Sequence, residues 1–142
     1  MMRLISVLAA APLLLSAAPH ARLEISLEGL RNARGVVRLC VAPAPAAYPD
    51  CRDGTGARRI NVPAGEARSI VVDDLAPGTW AVALMHDENG NARLDTRLAI
   101  PVEGFGFSNN PAVGFGAPAF RRTAFSVSGP VTRHTIRLRY LL

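Results

Sequence analysis

Apolar and polar residues alternate along most of this chain, which predicts strands with one face in a core and one in water. The clearest case is 22–28, where Leu23, Ile25 and Leu27 alternate with polar side chains. Further strands are predicted where the same pattern recurs, at 35–42, 58–62, 67–75, 97–102, 123–129 and 131–140. These segments predict an all-β protein.

The segment WAVALMH, residues 80–86, breaks the alternation because it is apolar on both faces. Apolarity on both faces is typical of a central strand covered on each side. The preceding Pro77-Gly78 pair suits a tight chain reversal. We expect 123–129 and 131–140 to form the final strand pair, with the turn at 128–130. No helical periodicity follows the N-terminal segment, so we predict an antiparallel Greek-key-type β-sandwich of about seven strands.

The N-terminal segment has the features of a secretory signal. Arg3 supplies a positive charge, residues 4–15 are apolar, and small residues follow at 16–18. The apolar run is shorter than the roughly 20 residues that a permanent membrane anchor needs. We therefore expect a signal peptide at 1–21 and one β-sandwich domain at 22–142. The mature protein is then exported to the periplasm or the extracellular space, without a membrane span.

Charge and cysteine content narrow the classes of function further. The chain has 16 basic residues, all Arg, against 11 acids, a net charge of +5. The Arg residues are scattered and not interleaved with aromatics, so nucleic-acid binding is not expected. Cys40 and Cys51 are the only cysteines. In an exported chain such a pair predicts a disulfide, and the rival two-thiol metal or redox site lacks the C-x-x-C spacing.

The segment HDENGNARLDT, residues 86–96, admits two interpretations. Its oxygen-bearing side chains are spaced as in loops that wrap calcium, and they are Asp87, Asn89, Asn91 and Asp95. It is not an EF-hand, because Ala92 and Leu98 occupy the positions where that loop needs Gly and Glu. The alternative is a hydrogen-bonded polar turn without an ion. Calcium is thus the one cofactor that the sequence suggests.

Two further residues bear on catalysis. His86 ends the buried strand, where a lone histidine acts either as a structural hydrogen-bonding group or as a ligand or base. Ser108 lacks the G-x-S-x-G surroundings of an activated serine. No zinc-binding spacing of His or Cys occurs. An enzyme is therefore less expected than a binding protein.

The Gly- and Phe-rich segment 102–120 is unusually long for a loop. It carries Phe105, Phe107, Phe115 and Phe120. These rings, with Asn109 and Asn110, can form a shallow platform for a sugar or a peptide. Alternatively the rings fold back and plug the open end of the sandwich, and the two Asn side chains satisfy backbone groups of the loop.

Several ordered motifs resemble one bacterial family. The segments LAPGTWAVALMHDENGNARLDT, GFGFSNN and FGAPAF look like the signature of the exported family called domain of unknown function 2141. The PGTW turn also resembles transthyretin-like and carboxypeptidase-regulatory-like sandwiches. The resemblance implies a shared surface made of His86, Asp87, Asn89, Asn91, Asp95, Gly106, Phe107, Ser108, Asn109 and Asn110. Ala92 departs from the family pattern, in which a second glycine is usual.

Together these features predict an exported, envelope-associated binding or accessory module, with a glycan or an envelope protein as its partner. We expect the 86–96 loop and the GFSNN loop to lie together at one end of the sandwich. The expected ligand-binding residues are His86, Phe105, Phe107, Ser108, Asn109 and Asn110. Two alternatives remain: a hydrolase of an envelope or extracellular polymer that uses His86, Asp87 and Ser108, and a purely structural domain.

Overall fold

The computed structural model describes residues 19–142. The predicted signal peptide therefore lies outside the described residues except for its last three positions. Ala21, the final residue of that prediction, already belongs to the first strand and is buried. The folded domain thus begins one residue before the predicted boundary at 22.

The described residues are mostly β-structure, as predicted. The longer strands are β1 (Ala21–Glu28), β2 (Val36–Ala42), β3 (Arg58–Pro63), β4 (Ser69–Leu75), β5 (Gly78–Asp87) and β10 (Val131–Arg137). The shorter strands are β6 (Thr96–Arg97), β7 (Ile100–Pro101), β8 (Gly104–Phe107) and β9 (Phe125–Val127). Helical turns occur at Pro45–Ala47, at Ala64–Glu66 and at α1 (Phe120–Thr123). Among residues 19–142, none of the helices has the length and apolar character to cross a membrane.

Two larger sheets organise the strands. One has the order β10-β1-β4, and the other has the order β3-β2-β5-β8. In the second sheet β5 pairs with β2 along one edge, while its other edge is shared by β8 and β9. The small β6–β7 hairpin stands apart from both sheets. The central position that apolarity on both faces predicts for 80–86 is confirmed.

The strand pairing differs from the prediction in two ways. First, β1 and β10 run parallel, from Arg22 beside Val131 to Glu28 beside Arg137, so the fold is not wholly antiparallel. Second, β9 and β10 do not pair with each other, because β9 joins β5 and β10 joins β1. The chain between them crosses from one sheet to the other. Alternation of side chains identifies the two faces of a strand but not its neighbour.

A single hydrophobic cluster takes side chains from both larger sheets. In β1 the predicted face, Leu23, Ile25 and Leu27, is buried while the intervening positions are more exposed. Leu84 from β5 and Ile136 from β10 join the same cluster. This shared core fixes the relative positions of the two sheets, and so of the loops at their ends.

The predicted disulfide between Cys40 and Cys51 is present, with a Cα–Cα distance of 5.3 Å. It anchors the 43–57 excursion to β2 and packs with Ala42 and Ala47 in a second, smaller apolar cluster. A crosslink that closes a loop of this size stabilises a fold by roughly 2–3 kcal/mol, chiefly by restricting the unfolded chain.

Candidate functional site

Asp87 ends β5 and organises the loop that follows it, residues 87–95, hereafter the acid–amide loop. Its buried carboxylate accepts hydrogen bonds from the backbone N–H groups of Asn91 (3.1 Å) and Ala92 (2.8 Å) and from Nε of Arg38 (2.7 Å). Burial alone raises the pKa of Asp87, but these three donors outweigh it and hold the pKa below its usual value. The Asp87 carboxylate is therefore charged and fully occupied within the protein.

Asp95 closes the same loop from its other end. It accepts from the side-chain amides of Asn89 (2.5 Å) and Asn91 (2.8 and 3.0 Å). The amide oxygens of the two Asn residues in turn accept from the backbone N–H groups of Asn91 and Arg93. Ala92 adopts a left-handed φ of 61°, a conformation that favours glycine. The loop therefore takes this conformation at an alanine.

These hydrogen bonds compete with the calcium interpretation, because an ion would have to share or displace the same oxygens. Asp87 faces Arg38 and two amide donors, and the Asn89 and Asn91 oxygens face backbone N–H groups. Within the described range 19–142, no group of three or more His, Cys, Asp or Glu side chains is arranged to hold a metal ion. The arrangement is that of a polar turn held by its own side chains.

Glu103, which sequence reasoning missed, lies beneath the acid–amide loop. It is buried, and its two oxygens accept from the backbone N–H groups of Glu88 (2.9 Å) and Asp95 (3.3 Å). One carboxylate thus holds both ends of the loop. The sequence held one signal of this role. Glu103 is the single acid between Val102 and the Gly- and Phe-rich strand, where a charged side chain needs partners within the protein.

The segment 29–35 crosses the end of β5 and brings basic groups to Glu88. Glu88 is paired with Arg31 (2.6 Å) and Arg34 (3.1 Å) and also accepts from the Asn32 amide (3.0 Å). Burial raises the pKa of Glu88, but the bonds from Asn32 and Arg31 outweigh that effect and lower it. Gly35 is required here, because any side chain at its position would collide with the backbone of Asp87 and Glu88.

Behind this charged cluster, His86 is fully buried and both of its ring nitrogens are engaged. Nε2 lies 2.6 Å from the carbonyl oxygen of Arg34, and Nδ1 lies 2.7 Å from the Tyr140 hydroxyl. Because a carbonyl only accepts, Nε2 carries the proton and Nδ1 accepts from Tyr140. The Arg31 guanidinium stacks 4.3 Å from the centre of the Tyr140 ring. His86 therefore has a structural role, and neither of its ring nitrogens is free to bind a ligand.

An open cleft lies in front of these groups. It has a volume of about 250 Å³. Its walls come from three separate segments of the chain and carry guanidinium, carboxylate and amide groups. The lining residues are Arg31, Arg34, Glu88, Asn89, Asp95, Val102 and Glu103.

The GFSNN segment, residues 106–110, is tied down at a different place. Ser108 is buried, and its hydroxyl accepts from the backbone N–H of Val82 (2.9 Å) and donates to the carbonyl of Thr123 (2.5 Å). The Asn109 amide donates to the carbonyl of Ala124, at 2.8 Å. With its hydroxyl fully engaged, Ser108 is unavailable to a ligand, which corrects its predicted role.

Asn110 completes this arrangement by bonding to β10. Its side-chain nitrogen donates to the carbonyl of Thr135 (3.0 Å), and its oxygen accepts from the N–H of Arg137 (2.8 Å). The two Asn side chains thus satisfy backbone groups, in line with the second interpretation of this segment.

The two predicted site loops lie at opposite ends of the β5–β8 pair. Because β8 runs antiparallel to β5, Ser108 lies beside Val82, whereas Asp87 is five residues further along β5. At about 3.4 Å per residue, the separation is roughly 17 Å. The predicted shared pocket is therefore wrong. The same register places His86 roughly 14 Å from Ser108, too far for the hydrogen-bonded pair that the hydrolase alternative requires.

The phenylalanines of the 102–120 segment divide into two groups. Phe105 is buried, and Phe107 and Phe120 are partly buried against Tyr48, with ring centres 6.5 and 5.8 Å from it. These rings pack on the protein and do not form a free platform. Phe115 alone points fully into solvent.

Comparison with known proteins gives one match. A family model described as an uncharacterized protein conserved in bacteria (DUF2141) matches residues 25–135. The matched range runs from within β1 to within β10 and includes the acid–amide loop, Glu103 and the GFSNN segment. No curated protein and no solved structure matches.

Proposed function

This chain belongs to the DUF2141 family, and from its structure we propose that it is an exported, envelope-associated binding module. Its binding site is the cleft beside the acid–amide loop. Its ligand is a saccharide unit of an envelope or extracellular glycan. The cleft itself is the observation that carries the proposal, because it presents charged and amide groups in fixed positions to solvent.

The chemistry of the lining supports a polyhydroxylated ligand. Hydroxyl groups both donate and accept, and the cleft offers guanidinium donors on Arg34 beside the partly exposed carboxylate of Asp95. Arg34 is 74% exposed, and one guanidinium nitrogen holds its bond to Glu88. A volume of about 250 Å³ is below the range of about 300–1,000 Å³ of sites for drug-sized molecules, so it suits one sugar unit.

The rigidity of the site supports binding as well. Glu103 holds both ends of the acid–amide loop, and Glu88 holds the 29–35 segment against it. Little conformational freedom is then lost when a ligand enters, which favours affinity.

The Cys40–Cys51 disulfide and the signal-like N-terminus support export. Two sheets that share one core also support the Greek-key-type sandwich.

A glycan array, followed by NMR titration of the glycans that bind, tests this proposal. Arg34→Gln removes a lining charge and is expected to weaken binding about tenfold, the effect of losing a charged hydrogen bond. Arg59→Gln is the matched control, because Arg59 pairs with Asp53 on exposed surface away from the cleft. Absence of glycan binding would leave the purely structural alternative, and equal affinity in Arg34→Gln would place the binding outside the cleft. Shortening of the bound glycan would instead indicate the hydrolase.

A further inference from the structure

The β6–β7 hairpin has an unusual turn. Thr96 pairs with Pro101 and Arg97 with Ile100, which leaves Leu98 and Ala99 as a two-residue turn. Both have positive φ, 50° and 63°. A turn with two positive φ values is type I′, for which Asn-Gly is preferred and a bulky side chain is strained. The hairpin therefore holds a leucine at its tip against local conformational preference.

Three exposed aliphatic side chains lie on this hairpin or just before it. Leu98 is 93% exposed, Ile100 42% and Leu94 37%. Arg31 also ties the C-terminal residue to the base of the hairpin, because it donates to the carbonyls of both Leu142 (2.8 Å) and Val102 (3.1 Å). Exposed apolar side chains that cluster in this way mark an interaction surface.

The charge beside these apolar residues is positive. Arg93 and Arg97 are exposed, and within the described part of the chain neither pairs with a carboxylate. Asp95, the one acid between them, turns inward to the amides of Asn89 and Asn91. The surface thus combines protruding aliphatic groups with free guanidinium groups, the combination that binds anionic lipid surfaces.

We propose that the β6–β7 hairpin docks this protein on an anionic phospholipid bilayer. Leu98 and Ile100 enter the interfacial region, while Arg93 and Arg97 contact lipid phosphates. The hairpin leaves the acid–amide loop at Asp95 and returns at Val102, two residues that line the cleft. Docking therefore holds the cleft close to the membrane surface. The binding is reversible, because only a few side chains enter the interfacial region.

Sedimentation of the purified mature protein with lipid vesicles tests the proposal. We expect co-sedimentation with vesicles of phosphatidylglycerol and phosphatidylcholine, a strong decrease at high salt, and little with phosphatidylcholine alone. Arg93→Gln and Arg97→Gln are each expected to weaken binding about fivefold. Arg68→Gln, on the turn before β4, is the control for general positive charge and is expected to have a much smaller effect.

Leu98→Asn tests the role of Leu98 in vesicle binding without destabilising the fold of the hairpin. Asn suits a type I′ turn, so the variant is expected to melt at the same or a higher temperature while its vesicle affinity falls about tenfold. Val71→Thr is the control, because Val71 is an exposed apolar residue on β4 in the other sheet.

Three outcomes would overturn the proposal. They are equal sedimentation with neutral and anionic vesicles, no sedimentation with anionic vesicles at low salt, and unchanged affinity in Leu98→Asn. If light scattering instead shows a dimer that Leu98→Asn dissociates, the surface binds a second copy of the chain. Glycan binding is measured without vesicles, so its result and this one are independent.

Discussion

The Tyr140 hydroxyl lies 2.7 Å from Nδ1 of His86 and links the C-terminal end of the chain to the end of strand β5, just before the acid–amide loop. The same hydroxyl accepts from the backbone N–H of Arg31 at 3.3 Å. Three segments far apart in sequence therefore meet at one oxygen atom. The walls of the cleft depend on this junction, because Arg31 and Glu88 lie directly beside it.

Tyr140→Phe is expected to destabilise the protein by about 1–3 kcal/mol, because it leaves Nδ1 of buried His86 without a donor. Chemical denaturation measures the change. Tyr48→Phe is the matched control, since the Tyr48 hydroxyl is buried and has no hydrogen-bond partner among residues 19–142. Its removal should leave stability unchanged or raise it. Equal losses in the two variants would contradict a role for the His86–Tyr140 bond.

Glu103→Gln is expected to loosen the acid–amide loop and to cost about 1–3 kcal/mol, because one amide oxygen cannot replace both carboxylate oxygens. Hydrogen exchange of the Glu88 and Asp95 amides should become faster. Glu66→Gln, an exposed residue on a helical turn, is the control and should leave both amides unaffected. Unchanged exchange in Glu103→Gln would show that the loop is held elsewhere.

Gly104→Ala is expected to destabilise the fold by about 1–3 kcal/mol, because a Cβ there would lie 2.5 Å from the Tyr140 ring. Gly114→Ala places the same group in open space and should be neutral or stabilising by about 0.4–1 kcal/mol. Any stabilisation would come from the lower conformational entropy of the unfolded chain. Thermal unfolding of the two variants gives the comparison. If Gly104→Ala melts like the wild type, the close packing of β8 on Tyr140 is not as described.

The protein is expected to become less stable as the pH decreases, because His134 becomes protonated. Its Nε2 accepts from the backbone N–H of Asn109 (2.9 Å), its ring stacks on Phe125, and burial lowers its pKa from 6.5. Because the pKa of His134 is lower in the folded state than in the unfolded state, neutral His134 adds fully to the free energy of unfolding above pH 6.5. That stabilisation is lost as the pH falls through the pKa of His134 in the folded protein. Unfolding free energies measured between about pH 8 and 5 should therefore decline less steeply in His134→Gln. Identical slopes would contradict this.

Calcium is expected to leave the melting temperature unchanged, because the oxygens of the acid–amide loop already accept bonds within the protein. A site with a dissociation constant of about 10⁻⁴ M would stabilise the fold by about 2.7 kcal/mol at roughly 10 mM calcium. Differential scanning calorimetry resolves such a shift. A rise that Asp87→Asn abolishes would restore the calcium interpretation.

The sequence by itself determined which side of β1 is buried, the central place of β5 and the disulfide between Cys40 and Cys51. These features are local or nearly so. Alternation has a period of two residues, so the burial of Leu23, Ile25 and Leu27 follows from their spacing alone. The disulfide follows from there being two cysteines in a chain with a predicted export signal. The sequence did not show that the predicted strand 97–102 is a hairpin, β6–β7, or that the predicted loop 102–120 contains β8.

Only the tertiary structure decided which strands pair and which loops meet. The parallel pairing of β1 with β10 joins opposite ends of the chain, and nothing in either strand specifies that partner. The antiparallel course of β8 placed Ser108 and Asp87 at opposite ends of the β5–β8 pair, although both had been expected in one pocket. Glu103 and Arg31 gained their roles because distant segments converge on Glu88. Such contacts depend on how the whole chain closes on itself, which residue spacing does not record.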